Sequence, residues 1–237
     1  MNKFHKRKLN HMIAPRLAGA KLATNIAGIV IAICSSLPLV GRAQHARKFD
    51  LSRLLIEQKL FINPRSSAKG LKDSTYVGLT CGGIVWLTGL NFSTGSIDID
   101  LKGRDVFQQS FLGVAFHGVD SVNYDAIYFR PFNFKSADSL RHKHMVQYIS
   151  QPGFPWDRLR KEHPLVYENT VNPPLTPKNW FHAHIVVTAE TIMVYVNYSA
   201  MPSLTVRKLN NRTNGLIGFW DDGLPGDFAN LVVTDNP

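Results

Sequence analysis

From about residue 49 onward the chain alternates apolar and polar side chains with a period of two, in short runs separated by turn residues. That is the signature of strands that bury one face. Residues 95–101 show it most cleanly, with Ile97, Ile99 and Leu101 on one side and Ser96, Asp98 and Asp100 on the other. The same reading covers 111–117, 124–130, 180–187, 191–197, 215–220 and 228–233, and more weakly 54–62, 75–80, 84–87, 145–149 and 204–209. One-faced strands need a second layer to cover the apolar side, so the pattern predicts an all-β sandwich of two sheets. No amphipathic helix longer than about three turns is expected after the first 43 residues, and 157–162 forms one or two turns. The segment 151–179 carries six prolines and is the longest irregular stretch. Loops of that length in compact domains are often functional.

The net charge of +10 is concentrated at one end. Seven of the 27 Lys and Arg lie in residues 1–43, which hold no Asp or Glu, leaving 20 basic against 17 acidic side chains elsewhere. A body that near neutrality lacks the electrostatic footprint of a nucleic-acid binder. The basic stretch is followed by the apolar run Ile26–Cys34 and by Gly41-Arg42-Ala43, small residues at −3 and −1 of a cut before Gln44. Residues 1–43 therefore read as a signal peptide, and 44–237 as one exported domain, periplasmic, surface-bound or extracellular. The apolar run is shorter than the ~20 residues of a membrane span, so no stable span is expected once the leader is cut, and retention as an anchor is the alternative. With the leader removed only Cys81 remains, which excludes an internal disulfide and reads as a buried thiol.

The succession Gly95-Ser-Ile-Asp-Ile-Asp100, Trp180-Phe-His-Ala-His-Ile-Val-Val187, Ile192-Met-Val-Tyr-Val-Asn197, Gly215-Leu-Ile-Gly-Phe-Trp220 and Gly226-Asp-Phe-Ala-Asn-Leu231 resembles the concanavalin A-like lectin/glucanase superfamily. It is particularly similar to its bacterial laminin-G-like and 3-keto-disaccharide hydrolase-like domains, over about residues 49–235. The resemblance implies an antiparallel two-sheet jelly roll that binds glycans on its concave face. It says little about activity, because the fold hosts lectins, hydrolases and adhesion modules alike. Glucanases of the superfamily usually carry a Glu-x-Asp-x-x-Glu-like strand. The nearest match is Asp98-Ile-Asp100-Leu-Lys-Gly103, which lacks both glutamates, so Asp98 and Asp100 read as solvated acids.

Strand parity supplies a better candidate surface. If Leu112, Val114, Phe116, Ile127 and Phe129 fill the core, then His117, Tyr128 and Arg130 share the opposite face, and Gln147 joins them if Val146 and Tyr148 point inward. Trp220 likewise points away from Ile217 and Phe219. An aromatic platform beside planar polar donors suits a sugar, whose C–H faces pack on rings while its hydroxyls take hydrogen bonds. Asn133 and Trp156 are candidates for the rim, whereas Phe132 and Phe134 read as a satellite hydrophobic cluster under the long loop. His142, His144, His182 and His184 read as surface histidines rather than metal ligands. No cofactor is expected, with structural calcium on Asp221, Asp222 and Asp227 the one metal site offered by spacing.

Three functions remain. The first is an exported carbohydrate-binding or glycan-processing accessory domain. The second is a hydrolase of glycosidic or 3-keto-disaccharide bonds with His117 as acid/base, since its reference pKa of about 6.5 suits proton transfer. The third is a non-catalytic structural or adhesion module.

Overall fold

The computed structural model describes residues 45–236, so the expected leader over 1–43 lies outside the described residues. Fifteen strands occur in the order β1 (His45–Lys48), β2 (Leu60–Ile62), β3 (Ser67–Gly70), β4 (Gly78–Gly82), β5 (Ile84–Leu87), β6 (Gly95–Lys102), β7 (Ser110–Gly118) and β8 (Tyr124–Phe129). There follow β9 (Val146–Gln151), β10 (Glu168–Asn169), β11 (Phe181–Val187), β12 (Thr191–Val196), β13 (Leu204–Arg207), β14 (Leu216–Gly223) and β15 (Gly226–Asp235). Among the described residues three short α-helices, α1 (Leu51–Ile56), α2 (Ser139–His142) and α3 (Trp156–Glu162), and a 3-10 turn over Pro131–Asn133 interrupt them.

One sheet runs β13-β12-β11-β6-β15-β4-β3 with β1 added to β15, and the other runs β10-β9-β8-β7-β14-β5-β2. The strand pairs are antiparallel, as in β6 with β11 and β15 and in β7 with β8 and β14. The two sheets face one another across the main core. Ile97, Ile99 and Leu101 of β6 and Ala183, Ile185 and Val187 of β11 pack with Leu112 and Val114 of β7, Ile127 and Phe129 of β8, and Phe219 of β14. The expected two-layer antiparallel sandwich is thus the observed one. Cys81 is free and wholly buried in this core, and burial pushes its thiol pKa far up, which leaves it without a reactive thiolate.

The sheets differ in how they treat their outer faces. β6, β11 and β12 alternate buried with half-buried residues, as one-faced strands do, whereas β5, β8 and nearly all of β9 are buried on both faces. A second apolar cluster covers the outer side of the seven-stranded sheet, formed by Ile84, Trp86, Ala115, Tyr124, Ala126, Tyr128, Ile149, Leu159 and Trp220. Leu159 comes from α3, which lies within the segment expected to be mostly irregular.

Some local expectations are corrected. Residues 54–56 are helical, because the Asp50 carboxylate caps α1 by accepting from the Arg53 amide at 3.0 Å. The strand expected from residue 75 begins at Gly78, since Asp73 accepts from the amides of Thr75 and Tyr76 and holds them in a turn. Phe134 belongs to the main core, with its ring 5.5 Å from that of Phe181, rather than to a satellite cluster.

On the outer face of the eight-stranded sheet, antiparallel pairing sets His182 opposite Asp100 and His184 opposite Asp98. His182 Nδ1 lies 2.8 Å from Asp100 and His184 Nδ1 lies 2.8 Å from Asp98. Burial opposes the charged imidazole of His182, but its bonds to Asp100 and Asp98 outweigh that and raise its pKa to about 9. These acids are therefore cross-strand partners of histidines and not simply solvated.

Candidate functional site

One row of cross-strand neighbours lays the floor of the site. Gln147 of β9 pairs with Tyr128 of β8, Tyr128 with Gly113 of β7, Gly113 with Trp220 of β14, and Trp220 with Ile84 of β5. All five occupy the outer face of the seven-stranded sheet, because directly paired residues of neighbouring strands point to the same face. Gly113 contributes no side chain, so the Tyr128 and Trp220 rings meet across it with centroids 4.7 Å apart. A Cβ at position 113 would lie 2.0 Å from the Ile127 carbonyl oxygen and 2.6 Å from Tyr128 Cα. Gly113→Ala should therefore cost about 1–3 kcal/mol, measured by urea unfolding, and should part the two rings.

Above this floor is a cavity of about 800 Å³, lined among others by Tyr128, Arg130, Phe132, Asn133, His144, Trp156, Arg160 and Trp220. Tyr128, Arg130, Asn133, Trp156 and Trp220, which parity and loop position suggested, thus border a common space. Gln147 lies beneath it, taking hydrogen bonds from the Tyr128 hydroxyl at 2.9 Å and from Arg130 Nη2. Trp220 faces the cavity but is only 8% exposed, and its Nε1–H donates to the Tyr124 hydroxyl at 3.1 Å. It is part of the floor rather than a ring standing in water. Trp156, at the N-terminal end of α3, is 49% exposed.

His117 is the exception. Parity put it beside Tyr128 and Arg130, but β7 is bulged there. Leu216 pairs with Gly118 and Gly218 with Ala115, so Ile217 opposes both Phe116 and His117. His117 takes a φ of +49°, and the extra residue reverses the face its side chain occupies. The fully buried imidazole points into the inter-sheet interior, stacked on Phe92, with Nε2 2.6 Å from the Ser93 carbonyl and Nδ1 3.5 Å from Asp125. It does not line the cavity.

Strand parity reached Arg130 but not the rest of the charged end of the cavity. Arg130 is buried at the end of β8, where its guanidinium donates to the Tyr128 hydroxyl at 2.6 Å and to the His144 carbonyl at 3.3 Å. Its counter-charge is Glu168 of β10, which is 2% exposed and lies 3.6 Å from Arg130, 2.7 Å from His144 Nδ1 and 2.8 Å from Arg160 Nη2. Arg160 also donates through Nε to Glu168 at 3.1 Å, making a two-pronged pair. The spacing of Trp156 and Arg160, four residues apart on α3, is the one sequence signal that puts both on one side of a helix. The guanidinium accordingly lies 5.1 Å from the indole centroid.

These surroundings set the protonation states. Burial pushes the Tyr128 phenol up to about 12 and lowers the Arg130 pKa. Burial, aided by Arg160 and opposed by Glu168, also holds the His144 imidazole below its ordinary value, so that it is neutral at pH 7. The Asn133 amide donates to the His144 carbonyl at 2.9 Å, while its buried Oδ1 accepts from no group among the described residues. The site therefore combines packed rings, guanidinium donors and, in Asn133, a buried amide acceptor at the wall.

The acids considered for calcium are placed differently. Asp227 accepts from both Nη atoms of Arg104, at 2.8 and 2.9 Å, and from Thr80. Among the described residues no three His, Cys, Asp or Glu side chains are grouped to hold a metal ion, so Asp221, Asp222 and Asp227 do not form a ligand set. No helix of the described residues is long and apolar enough to cross a membrane.

No family model matches the sequence, and no curated protein matches it. Among solved structures, a Bacillus subtilis protein of unknown function with a galectin-like fold aligns at 13% identity and a TM-score of 0.53, covering 83% of this chain and 99% of that one. A proposed glycosyl hydrolase from Parabacteroides distasonis aligns at 11% identity and 0.47, covering 81% and 100%. A carbohydrate-binding module from Bacillus subtilis aligns at 12% and 0.43, covering 73% and 92%. At such identities the likeness is one of fold. Strand order and comparison agree that this chain is a two-sheet antiparallel sandwich with a galectin-like fold.

Proposed function

We propose that this protein binds carbohydrate in the cavity on the outer face of its seven-stranded sheet, and that it does so outside the cytoplasm after loss of residues 1–43. The observation that carries the reading is the meeting of the Tyr128–Trp220 floor, the exposed Trp156 ring and the polar groups of Arg130 and Asn133 around one space of about 800 Å³. A pyranose ring packs its C–H face on an indole and satisfies its hydroxyls with planar donors and amide acceptors, and a cavity of this size takes one to three sugar units. Binding is preferred to hydrolysis because the imidazole a hydrolase would draw on at position 117 does not reach the cavity. An adhesion role would need a flat sheet under the 151–179 segment, and a cavity there argues against it.

Trp156 is the variant of choice because it is half exposed and its loss leaves the floor intact. Trp156→Ala should weaken glycan binding about tenfold, roughly 1.4 kcal/mol, with the melting temperature nearly unchanged. Calorimetric titration against a glycan panel measures this, and equal affinities for wild type and variant would remove the sugar-binding reading.

A further inference from the structure

Resting on that sugar-binding reading, we infer that the ligand is an anionic saccharide, whose carboxylate or sulfate group is taken by the arginine end of the cavity while its ring packs toward Trp156. Three guanidiniums, of Arg130, Arg141 and Arg160, line the cavity, and among the described residues its acidic lining consists of Asp221 and Asp222. Glu168 sits behind the arginines and offsets one of them. Burial raises the Asp221 pKa to about 8, so at neutral pH it is mostly uncharged. Among the lining groups three arginines thus face one ionised acid, Asp222. With Glu168 offsetting one arginine and half-exposed Asp138 approaching Arg141 only to 3.8 Å, the wall of this partly enclosed space stays positive and pulls on an anion.

The arginines also keep donors for a ligand. Arg160 uses Nε and Nη2 on Glu168, and its side chain is 36% exposed. Arg141 is freer still. Its guanidinium stacks 4.2 Å over the Phe107 ring, and its one carboxylate contact is a loose 3.8 Å approach to Asp138. A guanidinium held over an aromatic ring keeps its N–H groups for a carboxylate or sulfate, which it can take by two parallel hydrogen bonds. A neutral sugar would bury this charge without compensation, which disfavours it relative to an acidic one.

The test is calorimetric titration of the purified protein with uronate oligosaccharides, sulfated oligosaccharides and their uncharged counterparts of equal length, at 50 and 500 mM NaCl. Acidic ligands should bind at least about tenfold more tightly than the uncharged ones, and the advantage should shrink at the higher salt. The uronate and sulfate arms tell the two anions apart. Arg141→Gln, at an exposed position that leaves the fold intact, should lose about tenfold on acidic ligands and nothing on neutral ones. Equal affinity for acidic and neutral sugars, or an equal loss on both in Arg141→Gln, overturns the inference while leaving sugar binding in place. Binding of polyglutamate as tight as that of the acidic sugars overturns it as plain charge attraction. Failure to bind any sugar removes the sugar-binding reading itself.

Discussion

Replacing Glu168 with alanine should cost about 3–5 kcal/mol of folding stability, the penalty for stranding buried charge when one partner of an enclosed ion pair is removed. The carboxylate is 2% exposed and lies within 3.6 Å of Arg130, 2.8 Å of Arg160 and 2.7 Å of His144. Arg130 is almost wholly buried, so it cannot recover the lost attraction by reaching water. The remaining partners, the Tyr128 hydroxyl, Gln147 and the His144 carbonyl, satisfy its hydrogen bonds but not its charge. Urea unfolding at pH 7 measures the loss. Glu168→Gln keeps the shape and removes the charge, so its stability should fall nearer to that of the alanine variant than to wild type. A loss below about 1 kcal/mol in Glu168→Ala would mean that the cluster is solvated in solution, and that the charged end of the cavity is looser than described.

The second large effect depends on pH. Asp221 is 4% exposed, and its pKa stands at about 8 against an ordinary 3.8. Burial is the chief cause, Asp222 and Asp227 add to it, and the Gly226 amide and Arg104 oppose it. Below about pH 4 the carboxyl is protonated in both folded and unfolded chains, and its contribution to stability is fully present. Between about 4 and 8 the unfolded chain releases the proton and the folded chain holds it, so stability falls as pH rises. Above about 8 both forms are ionised and the contribution is gone. A shift of about four units at roughly 1.4 kcal/mol each bounds the whole swing at about 6 kcal/mol. Asp221→Asn keeps the shape without the ionisation. Relative to wild type the variant should become more stable with each step from pH 5 to pH 9, by about 3–5 kcal/mol over the interval. Urea midpoints at pH 5, 7 and 9 check this, and parallel curves for the two proteins would show that Asp221 is ionised and compensated in the folded state.

Both effects come from buried ionisable groups, and neither group's burial was identifiable from the pattern that revealed the sandwich. Glu168 sits in a segment rich in proline and read as a loop. A two-residue strand joins it to Gln147, and only that pairing carries its carboxylate to Arg130. Asp221 was visible as one of three neighbouring acids, but its burial follows from how β14 and β15 close on the core. His117 shows the same limit from the other direction. Simple alternation assigned it a face, and a single extra residue in β7 turned it to the other side.

Tyr128, Arg130, Gln147 and Trp220 behave differently because unbroken alternation holds in β8 and β9 and around Trp220 in β14. Once Ile127, Phe129, Val146, Tyr148 and Phe219 are committed to the core by their apolarity, their neighbours are committed to the outer face by the geometry of the extended chain. What that geometry leaves open is the depth to which the outer face is covered. Trp220 is nearly buried because Tyr124, Tyr128 and Ile84 close around it, and those contacts run between strands far apart in the chain.

By itself, then, the amino-acid sequence determined the all-β class, the inward residue set of the main strands and the shared face of Tyr128, Arg130 and Trp220, while Gln147 was left to the parity of its strand. Each of these follows from a period-two backbone and the removal of apolar area from water, which act within one strand or between adjacent ones. The tertiary structure alone decided the bulge that turns His117 inward, the burial of Glu168 beside three basic side chains, and the closing of α3 and the 131–144 segment over a sheet face to make a cavity. Those depend on register and on packing between residues distant in sequence, where a one-residue slip reverses a face and the free energy of a charge is set by neighbours that local pattern does not name.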